Sequence, residues 1–233
     1  MLRALALRKP FIAVTINYRL GIFGFGISSD IIATQQSEDA LKGGNFGLGD
    51  QRIALRWVSQ NISAFGGDPA RVTIGGQSAG GISVQIHILE AKFGGQPPLF
   101  RRAIQQSGGL GTSGPVSLEE LDRKWDQLYS LLGISANSQH EKMETLLNFP
   151  ASKLLAAVFR LGWITYPVVK DDLTVHDRDN GRFSVHLGQT ESLGSQANLT
   201  NKEPIVVFAG DCENEVRRYQ SSLSTRSGRK ENC

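Results

Sequence analysis

The sequence has few of the features that would commit it to a membrane, a disulfide scaffold or a nucleic acid. No apolar run approaches the roughly 20 residues that a membrane helix needs. The stretch Met1 to Lys9 offers only Ala4 to Leu7 as an apolar run, against about 7–15 residues in a secretory leader, so no targeting signal is expected there. Two cysteines, Cys212 and Cys233, are too few for a disulfide framework; they fix no redox compartment and read as free thiols. An excess of one charge is missing as well. The net charge of +3 is carried by Arg217, Arg218, Arg226, Arg229 and Lys230, with Glu231 the only acid among them, which leaves the rest of the chain at −1. That distribution belongs to a basic end segment and predicts no nucleic-acid partner. There is no internal repeat and no low-complexity linker.

What remains is composed like a soluble globular protein. Hydrophobic residues make up 40% and charged residues 20% of 233, enough for one large domain or two small ones. Asn61-Ile62-Ser63 and Asn198-Leu199-Thr200 match the glycosylation triplet, a pattern that also arises by chance. Phe11 to Tyr18 is apolar, β-branched and of strand length, suited to a sheet covered on both faces. Asp50 to Phe65 places Ile53, Ala54, Trp57, Val58, Ile62 and Phe65 at helical spacing, and Gly66-Gly67-Asp68-Pro69 ends that helix. Strands are expected over Arg71 to Gly75, Arg102 to Gln106 and Ile205 to Phe208, the last one buried. Helices are expected from Ala79 to about Glu90 and over Leu118 to Leu132, His140 to Leu147 and Ser152 to Phe159. The polar stretch His176 to Gly181 reads as a turn. Strands alternating with helices predict an α/β fold with a mostly parallel sheet and flanking helices, and place functional residues on loops at the carboxyl ends of strands.

One pentapeptide carries chemistry. Gly76-Gln77-Ser78-Ala79-Gly80 follows the apolar run Val72-Thr73-Ile74 and precedes a helix. A strand that turns sharply into a helix holds its serine in a strained conformation with Oγ exposed, and small neighbours are expected on both sides. The helix N-terminus then offers the Ala79 N–H as a donor to an oxyanion. A bare Gly-x-Ser-x-Gly is weak by itself, since many matches are plain turns.

The flanking sequence makes it specific. Phe65-Gly66-Gly67-Asp68-Pro69-Ala70-Arg71-Val72-Thr73-Ile74-Gly75, leading into the pentapeptide, resembles the serine signature of the type-B carboxylesterases, the family of cholinesterases and fungal lipases. Asn17-Tyr18-Arg19-Leu20-Gly21-Ile22-Phe23-Gly24-Phe25 is similar to that family's strand-end motif. Gly44-Asn45-Phe46-Gly47-Leu48-Gly49-Asp50-Gln51, then Ala54-Leu55-Arg56-Trp57-Val58 and Asn61-Ile62, is similar to its next block. The matches run in order from residue 11 to about 109. Gln77 departs from the family, which most often has Glu there, and this bears on substrate preference more than on activity.

The resemblance implies an α/β-hydrolase fold and hydrolysis of carboxylic esters through an acyl-enzyme, with no metal and no organic cofactor. Ser78 is the implied nucleophile and Ala79 the oxyanion donor. Glu215, in Gly210-Asp211-Cys212-Glu213-Asn214-Glu215, stands where the family has its triad acid, although Val216 replaces a family glycine. The triad histidine should follow the acid in the chain. None of His87, His140, His176 and His186 does, so no catalytic histidine is identified. The family's His-Gly-Gly-Gly type loop, which would precede Asn17, is not found in the sequence. Losing one oxyanion donor costs about 10²–10³ in rate, and losing the triad histidine about 10⁶.

The expectation is a partial α/β-hydrolase domain over residues 1–215, lacking N-terminal strands and the C-terminal strand with its histidine loop. A divergent basic tail over 216–233 is expected to be disordered, and the chain is expected to be weak or inactive alone. A strand lost between Phe11–Tyr18 and Arg71–Gly75 should leave unpaired edges. Esters or acylglycerols are the implied substrates, and secretion of an intact parent is in keeping with fungal family members. The alternatives are an inactive binding or adhesion relative and a product that does not fold alone; retention of Ser78 speaks against the first. Oligomeric state is left open.

Overall fold

The computed structural model describes residues 10–35, 43–93, 97–110, 115–135, 138–163, 168–171, 174–178, 182–185 and 204–210. Two short helices come first, α1 (Gly21–Phe25) and α2 (Ser29–Thr34). The long α3 (Phe46–Asn61) runs into a 3₁₀ turn, Ile62–Phe65, which Gly66 closes at φ 80°. Strand β1 (Thr73–Gln77) leads into α4 (Ala79–Phe93) and then β2 (Arg102–Gln106). The two-residue β3 (Val116–Ser117) opens a helical excursion of α5 (Leu118–Leu132), α6 (Gln139–Leu147) and α7 (Ala151–Arg160). After it come β4 (Val169–Lys170), β5 (Val175–Arg178), β6 (Arg182–Val185) and β7 (Val206–Gly210).

The helices of the excursion begin where the sequence supplies caps. Ser117 and Ser138 each accept from the N–H three residues on, at Glu120 and Glu141, both at 3.2 Å. These are Ser-x-x-Glu patterns with acids in the first turn, favourable to the helix dipole. Leu121, Trp125, Leu128 and Tyr129 from α5 meet Leu154, Ala157 and Val158 from α7 in a core that Trp163 and Val169 complete. Burial there pushes the Tyr129 phenol up to about 12.

The main sheet is parallel in the order β1-β2-β7. Its inner face carries Ile74 and Ala103 against Val84 and Ala91 of α4, with Phe100. The expected strands appear close to their predicted bounds, with three corrections. Phe11 to Tyr18 forms no strand, and Phe11, Ile12 and Val14 are exposed. Strand composition confers only a capacity; a strand exists through its ladder, and no described strand runs beside this stretch. β7 is exposed along its whole length rather than buried, because it is an edge whose outer face nothing covers among the described residues. His176 lies in β5, which pairs antiparallel with β6, where the sequence suggested a turn.

Helix α3 is the fourth correction. The predicted inner face of Ile53, Trp57 and Phe65 is exposed, at 55%, 49% and 63%. Val58 and Ile62 of that face are buried as expected, but Gly47, Leu48, Gln51 and Arg52 are buried in place of the others. Hydrophobic periodicity ranks faces by oil, whereas here two polar side chains find buried partners on α4, as described below.

The Gly44–Asn45 corner ahead of α3 is fixed by a buried polar knot. Asn45, at φ 54°, donates to the Val169 carbonyl and to Thr174 Oγ1, each at 2.9 Å, and accepts from the Val169 N–H at 2.9 Å. Asp171 accepts from the N–H groups of Gly44, Thr174 and Val175.

Asp50 holds the start of the chain to α3. Its carboxylate accepts from the Arg19 Nε and Nη2 at 2.8 Å and from the Arg19 backbone N–H at 3.0 Å. The side-chain bond from Arg19 is the main reason that the Asp50 carboxyl is held below its ordinary value. A lowered folded value contributes stability above the unfolded value, about pH 4, that is lost as pH falls through the folded value. We therefore expect Asp50→Asn to be less stable than wild type at neutral pH and the gap to close in acid, read as urea midpoints across pH. The pair is partly exposed, so salt should shrink the gap too.

Candidate active site

Ser78 sits where β1 becomes α4. Its φ is 55°, in the left-handed region that side chains other than glycine adopt only at a cost of about 1–3 kcal/mol. Three anchors hold it there. The Ser78 N–H donates to the Gln106 carbonyl at 2.9 Å, extending the β1–β2 ladder by one residue. The Ser78 carbonyl accepts from the Ile82 N–H at 3.0 Å, so the serine is also the first acceptor of α4. Gly108 lies against the Ser78 carbonyl so closely that a Cβ on it would overlap that oxygen. The side chain is exposed at the carboxyl end of the sheet, as the sequence predicts for a nucleophile elbow.

The two flanking glycines differ in what they do. A Cβ on Gly76 would run into the backbone of Gly80, whereas a Cβ on Gly80 meets nothing within 4 Å. The expectation that both sides demand a small residue therefore holds for Gly76 alone among the described residues. The position that sequence reasoning missed is Gly108, whose signal was the Ser107-Gly108-Gly109 run at the end of β2. Ser107 itself stands at φ 47° and its N–H donates to the Gly210 carbonyl at 3.0 Å. Gln77 lines an open cleft of about 450 Å³ with Ile104, Gln105, Gln106, Ser107 and Phe208. The lining thus combines neutral amide residues with the apolar Ile104 and Phe208.

Glu215, Cys212 and His186 lie outside the described residues. His140 is exposed in the first turn of α6, and His176 is on β5. His87 is buried in α4, with Nε2 3.0 Å from Gln51 Oε1 and Nδ1 3.6 Å from Glu90 Oε2. Glu90 also pairs with Arg52 Nη1 at 2.8 Å, both side chains being over nine-tenths buried. Desolvation pulls the Arg52 guanidinium below its ordinary value, against the attraction of Glu90. His87 is thus committed to the α3–α4 interface.

Among the described residues, a parallel sheet with a strained serine between a strand and the following helix is the arrangement of an α/β-hydrolase nucleophile elbow. Comparison with known proteins makes this specific, since the sequence model of the carboxylesterase family matches residues 3–189. The chain belongs to the carboxylesterase family. Lipase 4 of Diutina rugosa is 38% identical over 180 residues, covering 75% of this chain and 31% of the relative. Acetylcholinesterase of Danio rerio is 41% identical over 154 residues, covering 66% of this chain and 23% of the relative. Secreted lipase 1 of Botryotinia fuckeliana is 34% identical over 226 residues, covering 93% and 36%. The crystal structure of the carboxylesterase Est55 of Geobacillus stearothermophilus superposes with a TM-score of 0.55 at 36% identity, covering 67% of this chain and 32% of that one. The chain thus spans about a third of the length of these relatives, or less.

Proposed function

We propose that this chain carries the nucleophile half of a serine ester hydrolase. Ser78 Oγ attacks the ester carbonyl, the Ala79 N–H donates to the oxyanion, the alcohol leaves, and water releases the acyl group. Glu215 is the carboxylate that orients the base. The observation that carries the reading is Ser78 at φ 55°, anchored at the junction of β1 and α4. Strain at a sharply turned, exposed serine persists only where the surroundings over-determine it, and here three backbone contacts do so. The base in this reading is a histidine that follows the acid in the chain; none of the four in the sequence follows Glu215, and His87 is bound to Gln51. The lipases among the relatives support apolar esters or acylglycerols as substrates, and the secreted ones support secretion of the full-length protein.

The test supplies the base from solution. In a fluorophosphonate, Ser78 Oγ bonds to phosphorus, fluoride leaves and the serine proton passes to the base. We expect slow labelling of the folded chain, acceleration by added imidazole, and no adduct in Ser78→Ala. Folded protein that stays unlabelled at Ser78 with imidazole present would overturn the reading.

A further inference from the structure

We propose that His87, Gln51 and Ser83 form a one-way relay of hydrogen bonds that positions the first turn of α4, and with it the Ala79 N–H. The inference rests on the role assigned to Ala79 above. Each link can be read from its donor. Gln51 Nε2 donates to Ser83 Oγ at 3.1 Å. That leaves Gln51 Oε1 as the acceptor facing His87 Nε2 at 3.0 Å, so the ring carries its proton on Nε2. Ser83 Oγ, having accepted from Gln51, donates its own proton to the Ala79 carbonyl at 3.1 Å. Every donor points the same way, from the buried ring to the residue after the nucleophile.

The far end of the relay lies against a buried ion pair. Glu90 Oε2 faces the other ring nitrogen of His87 at 3.6 Å, and Arg52 holds Glu90 through Oε1 at 2.8 Å. His87, Glu90 and Gln51 are 4%, 3% and 5% exposed. Polar groups buried like these three are rigid when paired and costly when cut, and they carry the relay to its exposed end, where Ser83 meets the Ala79 carbonyl. An apolar trio would pack the helices equally well, and it would leave the Ala79 carbonyl with its helix bond only. With the relay, two successive carbonyls of the turn are pinned, Ser78 by the Ile82 N–H and Ala79 by the Ser83 hydroxyl. An oxyanion donor works by being aimed before the charge develops, and a misplaced donor is the commonest weakness of a site whose supporting contacts are loose. Gln51, Ser83 and His87 are therefore positioning residues.

The test uses the full chain with imidazole and a fluorophosphonate, and follows the backbone amide signals of Ala79 and Gly80 by NMR. Ser83→Ala and His87→Leu should slow labelling at saturating probe by about tenfold, the order of one lost hydrogen bond, with half-saturation unchanged. His87→Gln puts an amide donor near the place of Nε2 and should restore most of the rate; His87→Asn, which mimics the other nitrogen, should not. The Ala79 amide signal should move in Ser83→Ala and His87→Leu and return in His87→Gln. An Ala79 signal unmoved in folded Ser83→Ala, or His87→Gln no better than His87→Leu, would overturn the relay. Should His87→Leu fail to fold, Ser83→Ala, which spares the buried cluster, decides the question. Wild type that never labels would sink the hydrolase reading, while the amide signals would still report on the relay.

Discussion

Gly108→Ala should lower stability by about 3 kcal/mol, the upper end of what overpacking usually costs, and reduce labelling of Ser78 by about 100-fold or more, the scale of a misplacement near 1 Å. The added methyl would overlap the Ser78 carbonyl oxygen. That oxygen cannot retreat, because the Ser78 N–H is tied to Gln106 and its carbonyl to the Ile82 N–H. Relief must come from displacing either the elbow or the loop after β2, and that loop is itself tied down. Leu110 donates its N–H to Gln85 Oε1 at 2.6 Å, and Gln105 donates to the Gly108 carbonyl. Gly80→Ala is the control. Its methyl meets open space within α4, and alanine in place of glycine inside a helix is worth about 0.5–1 kcal/mol. The urea midpoints of the two variants should therefore move in opposite directions although both change a glycine beside Ser78. Equal, small shifts would mean that the close approach of Gly108 is not rigid in solution.

Arg52→Met should cost about 3–5 kcal/mol, since it removes one member of a buried ion pair and strands the other. Arg52 and Glu90 have side chains 9% and 4% exposed and meet at 2.8 Å. Methionine keeps most of the volume, so the loss reports the stranded carboxylate and not a cavity. Water does not reach Glu90 to compensate, and its other neighbour is His87 Nδ1 at 3.6 Å. The double variant Arg52→Met with Glu90→Leu should recover much of the loss, because replacing both charges by apolar groups is often neutral. Urea unfolding with an unchanged slope would read both effects as stability. A loss below about 1 kcal/mol for the single variant is the outcome for a solvated pair, and would contradict the burial.

Much of the local structure was legible because its causes lie close together in the chain. The bounds of α5 match the prediction residue for residue, since its cap at Ser117 and its apolar face at Leu121, Trp125, Leu128 and Tyr129 fall within one window. The elbow was legible for the same reason, as its glycines and serine are adjacent. The rest was not. Phe11 to Tyr18 has strand composition and no strand, since pairing depends on a neighbour the window does not contain. The face of α3 was read only in part, Val58 and Ile62 being buried as expected, because a count of apolar positions gives Gln51 and Arg52 no reason to turn inward.

The sequence by itself determined that a serine would stand on a sharp strand-to-helix turn, that helices would flank a parallel sheet, and which family the chain belongs to. Tertiary structure alone decided that Gly108 and not Gly80 shapes the elbow from outside, that His87 faces α3, and that Gln51 and Arg52 are buried. The dividing line is range. Turn chemistry and helix caps act across three or four residues and are written in the local sequence. Gln51 meets His87 across 36 positions, and such a contact exists only once packing has excluded water and left buried polar groups no partner but one another.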